Sequence, residues 1–258
     1  MPQTKIVFFD IDGTLIDMQA KKITPKMLET LHRLQDRGIK ICIATGRSPM
    51  VLPKIDGVAF DAYLTFNGSL CYDRKGVIFS NPIPHKDVVR FIQNAAALGR
   101  PVCVSTRDRL AANGTDTDLT DYFFIANEPV PVADDFDAVC AEDIYQLMLG
   151  CRPKDYPALL DGAPGAKIAA WWDRAVDVIP AGGGKGIGIE KMLAYYGLDK
   201  GEALAFGDGN NDREMLQAVG TGVAMENGSP ELKALADEIC GPVYEDGIYH
   251  YCTSKGLI

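Results

Sequence analysis

The chain has 258 residues, 47% hydrophobic and 24% charged, and a net charge of −9 at neutral pH. This is the composition of an ordinary globular protein, long enough to bury a substantial core as one large domain or as a core with an inserted module. The acidic balance argues against a broad nucleic-acid footprint, and no apolar run reaches the roughly 20 residues that span a bilayer.

Residues 5–9 are a continuous apolar run, the pattern of a strand buried on both faces in a parallel sheet. Thr24-Pro25 reads as an N-cap with proline at the first helical position, Met27, Leu28, Leu31 and Leu34 follow at helical spacing, and Gly38 closes the helix. A second buried strand at 39–45 completes a β-α-β unit with parallel strands. A third strand at 61–66 leads into Asn67-Gly68, and 70–72 with 77–79 forms a hairpin. At Asn81-Pro82-Ile83-Pro84 the rhythm changes. A helix at 85–98, strands at 101–105 and 144–149, a short helix at 155–160 and closely spaced strands at 168–172 and 175–179 predict an antiparallel α+β layer. After Ala181-Gly182-Gly183-Gly184 the α/β alternation resumes, with helices at 185–196 and 212–219 and strands at 203–206 and 222–225. The expected partition is a parallel-sheet α/β core at 1–82 and 182–258, split by a module at 83–181.

The N-terminus runs straight into strand 5–9 with no signal-peptide core. Seven cysteines occur without a Cys-x-x-Cys pair, and Cys42, Cys103 and Cys151 lie in or beside apolar runs, so free thiols in a reducing cytoplasm are expected. His32, His85 and His250 are scattered and show no zinc spacing.

Four polar clusters fall where strands of the predicted core end, the edge at which open α/β sheets bind ligands. Asp10 and Asp12, spaced i, i+2, are expected on one side of the first strand's tip, where their repulsion and lost hydration favour a cation and chemistry. An ionised Asp serves as a nucleophile and a neighbouring carboxyl as proton donor and acceptor. Thr45-Gly46-Arg47 offers a hydroxyl and free N–H groups suited to phosphate. Lys185, after three glycines, brings positive charge to phosphate and nucleophile. Gly207-Asp208-Gly209-Asn210-Asn211-Asp212 offers oxygen ligands for a hard cation.

In this order and spacing the four clusters resemble the haloacid dehalogenase superfamily of phosphohydrolases. Ala44-Thr45-Gly46-Arg47, Phe66-Asn67-Gly68 and an insert before the lysine are similar to its Cof-type sugar phosphatases. The sequence departs from that group at Ser69 and Gly228, where alanine is usual. The resemblance implies a Rossmann-like catalytic core with an inserted α+β cap, antiparallel sheet with helices, that sets substrate specificity and acts as a lid. It implies a Mg2+-dependent phosphatase of small phosphorylated metabolites, sugar phosphates above all, working through an aspartyl phosphate. Asp10 is then the nucleophile and Asp12 the proton shuttle. The metal is held by Asp10, the backbone carbonyl of Asp12, and Asp208. Thr45, Gly46, Arg47, Lys185 and Asn211 serve the phosphate, and Asp212 orients Lys185 or a metal-bound water. Asn67 is expected near the hinge, within reach of substrate. In the cap, Arg107, Asp108 and Arg109 form either a reader of a sugar or second phosphate or a solvated turn, and Trp171 and Trp172 either stack on a sugar or pack. The alternatives are a phosphosugar mutase and a non-catalytic phosphometabolite-binding module. The expected partner is a small phosphorylated substrate, with no nucleic acid and no membrane, on a monomer or homodimer.

Overall fold

The computed structural model describes residues 3–125, 127–170 and 172–258. The chain divides into two compact units: Met1–Arg47, Pro53–Ser80 and Gly184–Ile258 form one, Ser48–Leu52 and Asn81–Gly183 the other. The first unit opens with β1 (Ile6–Phe9), α1 (Pro25–Asp36), β2 (Lys40–Ala44), β3 (Ala62–Thr65), β4 (Leu70–Asp73) and β5 (Gly76–Ser80). The second holds α2 (His85–Ala97), β6 (Cys103–Ser105), β7 (Leu110–Ala112), α3 (Thr117–Ile125), α4 (Phe136–Val139), β8 (Gln146–Gly150), α5 (Tyr156–Leu160), β9 (Ala166–Ala169) and β10 (Ala175–Pro180). The chain then returns to the first unit through α6 (Lys185–Tyr196), β11 (Ala203–Gly207), α7 (Arg213–Ala218), β12 (Thr221–Met225), α8 (Pro230–Leu235), β13 (Glu238–Cys240) and α9 (Gly247–Ser254).

The eight strands of the first unit order as β13-β12-β11-β1-β2-β3-β4-β5. All neighbours from β13 to β3 pair in parallel, and the β4–β5 hairpin adds an antiparallel margin. One face packs Ile6, Phe8, Cys42, Ala44 and Leu64 against Ile189, Met192 and Leu193 of α6 and Met215 and Leu216 of α7. On the other, Phe9 stacks on Phe206 at 5.5 Å and Phe206 meets the ring of Tyr251 on α9 edge-on. Cover on both sides is why these strands read as unbroken apolar runs. The α1 helix begins where Thr24 Oγ1 accepts from the Met27 N–H at 3.1 Å, and it buries Met27, Leu31 and Leu34.

The second unit has its own core. Its five strands order as β7-β6-β8-β10-β9, each pair antiparallel. Leu147, Leu149, Val176 and Val178 face Val88, Phe91 and Ala95 of α2, while Cys103 and Met148 face Leu119 and Phe123 of α3. The seven cysteines are free and buried. Among the described residues no helix is long and apolar enough to cross a membrane.

Ser69, just past β3, is fully buried and its Oγ has no hydrogen-bond partner. A buried hydroxyl left unpaired costs about 1–3 kcal/mol. Ser69→Ala is therefore expected to raise stability by about 1 kcal/mol in urea unfolding. A loss of that size would show that the hydroxyl is bonded.

Candidate active site

The site is built on turns that follow β1, β2, β3 and β11, four strands adjacent in the sheet, together with the start of α6. Neighbouring strands lie about 4.8 Å apart, so turns leaving the same edge converge. The connections diverge here too: β1 continues to β2 on one side and pairs with β11 on the other. This is the switch point at which doubly wound sheets open a crevice.

Lys185 is the centre of the arrangement. It opens α6, its side chain is fully buried, and its Nζ donates to Asp10 Oδ1 at 2.7 Å and Asp212 Oδ1 at 2.5 Å. Carboxylate oxygens of Asp10, Asp208 and Asp212 all lie within 4.8 Å of one another. Asp212 is fixed through its other oxygen, which accepts from the backbone N–H groups of Asp208 (3.0 Å) and Gly209 (2.9 Å). Asp208 accepts from Thr14 Oγ1 at 2.9 Å. Three carboxylates thus face one ammonium. Burial, with the charges of Asp212 and Asp208, holds the Asp10 carboxyl well above its ordinary range despite Lys185. Burial and the Asp212 charge raise Asp208 to about 7. Burial alone would strip Lys185 of its proton, but Asp10 and Asp212 outweigh it and raise the ammonium's pKa. The group is short of positive charge, and its oxygen donors suit a hard cation.

The two acids of the first motif separate. We expected them on one side of a strand, but β1 ends at Phe9. The N–H groups of Leu15 and Ile16 both return to the Ile11 carbonyl (3.0 and 2.9 Å), so the chain turns at Ile11. Asp10 points into the buried cluster, and the Asp12 carboxylate goes to Arg47, which donates from Nε at 2.8 Å and Nη2 at 2.6 Å. Gly13 makes this turn possible. Its φ is +84°, and a Cβ there would lie 2.3 Å from Asp208 Oδ2.

Thr45 follows β2, and its Oγ1 accepts from the Arg47 N–H at 3.1 Å. Phe66 and Asn67 both have φ of +51°, a conformation that bulky residues avoid. The Phe66 N–H donates to the Arg47 carbonyl and the Asn67 N–H to the Thr45 carbonyl, each at 3.0 Å. Through this strained turn the Asn67 amide lies over Gly46, and its Oδ1 accepts from Asn211 Nδ2 at 3.1 Å. Gly68 completes it at φ +92°; a Cβ there would meet the Gly184 carbonyl at 2.2 Å, just before Lys185. Asn67 belongs to the first unit.

In the second unit, Thr106 Oγ1 accepts from the N–H groups of Asp108 and Arg109, making an exposed turn. Arg109 is committed to Asp135 by two hydrogen bonds of 2.7 and 2.6 Å. Trp171 lies outside the described residues. Trp172 follows the end of β9 and packs with Arg174, whose guanidinium is 4.6 Å from its ring. Sequence reasoning passed over two braces. Thr14 bonds Asp208, and Asn227 ties the Gly13 carbonyl (2.8 Å) to the Val243 N–H (2.9 Å). Thr14 was detectable as part of the Asp-Gly-Thr run, and Asn227 as part of the segment after 222–225 that is similar to the Cof-type group, but neither pattern shows what the side chain bonds.

The sequence model of the haloacid dehalogenase-like hydrolases matches residues 7–252. The YkrA protein of Bacillus subtilis (strain 168) is 35% identical over 257 residues, 99% of each chain. The 5-amino-6-(5-phospho-D-ribitylamino)uracil phosphatase YitU of the same organism is 28% identical, with 95% of each chain covered. Among solved structures, the HAD subclass IIB sugar phosphatase BT4131 superposes with a TM-score of 0.88 at 28% identity, over 99% of this chain and all of that one. The chain belongs to the haloacid dehalogenase-like hydrolases. Within that family it is an enzyme of the phosphatase class.

Removing one member of a buried ion pair typically costs about 3–5 kcal/mol. Lys185→Met is expected to lose stability on that scale at neutral pH. The loss should shrink toward acid pH, where Asp10 takes up a proton. Denaturant unfolding at pH 5 and pH 8 measures both, and an equal loss at the two values would contradict the charge argument.

Proposed function

We propose that this phosphatase hydrolyses phosphoric monoesters of small polar metabolites, sugar phosphates foremost, through an aspartyl phosphate on Asp10. The observation that carries the reading is the buried Asp10–Lys185–Asp212 contact with Asp208 alongside. Lys185 draws the Asp10 pKa down against the burial that raises it, and so favours the ionised form that a carboxylate nucleophile requires. An Asp10 oxygen attacks phosphorus in line. Asp12 gives a proton to the departing alcohol oxygen, then takes one from the water that cleaves the acyl phosphate. The Thr45 hydroxyl, the Gly46 N–H and Lys185 hold the phosphoryl oxygens, with the Asn211 amide beside them. Asp212 anchors Lys185.

The surplus of buried carboxylate fits a divalent cation. Asp10, Asp208 and the Asp12 backbone carbonyl would hold Mg2+, which when bound offsets the repulsion between the Asp10 carboxylate and the phosphoryl oxygens. The sugar-phosphate class draws support from the relatives: YitU is named for a substrate phosphorylated on a ribityl chain, and BT4131 is described as a sugar phosphatase. Residues 83–181, with a hydrophobic core of their own, take the role of specificity cap.

A phosphate-release assay with Mg2+ over sugar phosphates, nucleotides and pyridoxal phosphate tests the reading. Free phosphate should appear, with no transfer to a second hydroxyl of the substrate. Asp10→Asn should lower turnover by at least about 10³-fold with the fold intact; near-normal hydrolysis would overturn the mechanism.

The cation has its own test. Without metal, Asp208 titrates at about 7 against an ordinary 3.8. Its contribution to stability is therefore full below 3.8 and lost as pH rises through about 7. A cation that binds the ionised carboxylates restores it. Mg2+ is expected to raise Tm more at pH 8 than at pH 5. Equal shifts, or none, would contradict the assignment.

A further inference from the structure

The bond between Arg47 and Asp12 is not explained by phosphate binding. Arg47 stands on the turn after β2, beside Thr45 and Gly46, where a basic side chain is expected to serve the phosphoryl group. Instead its guanidinium meets both oxygens of Asp12, Nε to Oδ2 at 2.8 Å and Nη2 to Oδ1 at 2.6 Å. The side chains are 34% and 33% exposed, and ion pairs this exposed contribute little to stability. A two-point contact does something else: it fixes the plane and rotation of the carboxylate, which a single point charge does not.

Arg47 is itself held at both ends of its backbone. Its N–H donates to Thr45 Oγ1 at 3.1 Å, and its carbonyl accepts from the Phe66 N–H at 3.0 Å, at the strained turn. A fork on so fixed a base is a positioning device. Asp12 needs one, because it lies beyond the end of β1, on a turn that leaves its side chain without the support of a strand.

We propose that Arg47 is a positioning residue for Asp12: its guanidinium orients the carboxyl group toward the leaving-group oxygen and acts on the reaction through that group, and not by binding phosphate. The proposal rests on the reading of Asp12 as the proton shuttle. In the step concerned, the bond from Asp10 oxygen to phosphorus forms and the bond from phosphorus to the ester oxygen breaks. The ester oxygen keeps the bonding pair and takes the proton from Asp12. Each Asp12 oxygen retains a second lone-pair site after accepting from Arg47, so the clamp leaves an oxygen free to exchange that proton.

The test is a double-mutant cycle on the full chain with Mg2+, measuring single-turnover alcohol release from p-nitrophenyl phosphate and from an alkyl phosphate. Nitrophenolate departs with little help from a proton, whereas an alkoxide needs it. Positioned proton transfer is worth about 10²–10⁴-fold. Arg47→Met should lower the alkyl rate by about 10²-fold or more and the aryl rate by under about 10-fold, and Arg47→Lys should restore little. In an Asp12→Ala background, Arg47→Met should cost nothing further. The inhibition constant of inorganic phosphate should stay within about 3-fold of wild type, because an orienting role does not bind phosphate. Equal losses on both substrates, a weakened phosphate inhibition, or an additive loss in the Asp12→Ala background would make Arg47 a phosphate ligand and overturn the proposal. Unchanged rates would reduce it to a surface pair. The underlying reading fails separately: if Asp12→Ala itself shows no preference for loss on the alkyl substrate, Asp12 is not the shuttle and Arg47 has nothing to position.

Discussion

Lys185 is where the fold and the chemistry meet. A buried ammonium is tolerable only with opposite charge within contact distance, and here Asp10 and Asp212 both supply it. The partners come from the turn after β1 and from the turn after β11, so one contact ties the beginning of the chain to its last third and to the start of α6. The same contact leaves the neighbourhood net negative, because Asp208 adds a third carboxylate. The structure therefore stores an electrostatic deficit at the place where we propose that a cation and a dianionic group are handled.

Around that contact the backbone is shaped more tightly than stability alone requires. Phe66 and Asn67 sit at positive φ, each at a cost of order 1–3 kcal/mol. Gly13 and Gly68 approach Asp208 and the Gly184 carbonyl too closely for any side chain. These conformations are over-determined by what surrounds them: the Phe66 and Asn67 N–H groups have fixed acceptors, and the Asn67 amide bridges the turn after β2 to that after β11.

Much of this was legible in the sequence. Unbroken apolar runs at 5–9, 39–45 and 203–206 marked strands covered on both faces, and α6 was bounded as found, because Lys185 follows a glycine run and Gly197 ends the helix in the left-handed region. The chemistry-bearing residues stood at strand ends and were readable by type. What a one-dimensional pattern missed was direction. The i, i+2 spacing of Asp10 and Asp12 gives a shared side only while the strand continues, and a turn closed on the Ile11 carbonyl is invisible in residue types. The Arg47–Asp12 bond followed from that turn and was missed with it. In the second unit, α3 escaped notice because Leu119 and Phe123 are the buried apolar residues of nine, and β7 because three residues, Leu-Ala-Ala, carry no period.

The position of β1 bears on how the chain is made. Its partners are β2, about thirty residues on, and β11, whose Ala203 lies opposite Ile6. At a synthesis rate of about 5–20 residues per second, the second partner emerges on the order of ten to forty seconds after the first strand. For that interval Ile6–Phe9, among the most apolar segments of the protein, presents one unpaired edge of the kind that invites association with other chains. The inserted unit is synthesised entirely within it. A fold that closes its central strand this late leaves the nascent chain, and any product truncated before β11, with an open sheet edge to be shielded.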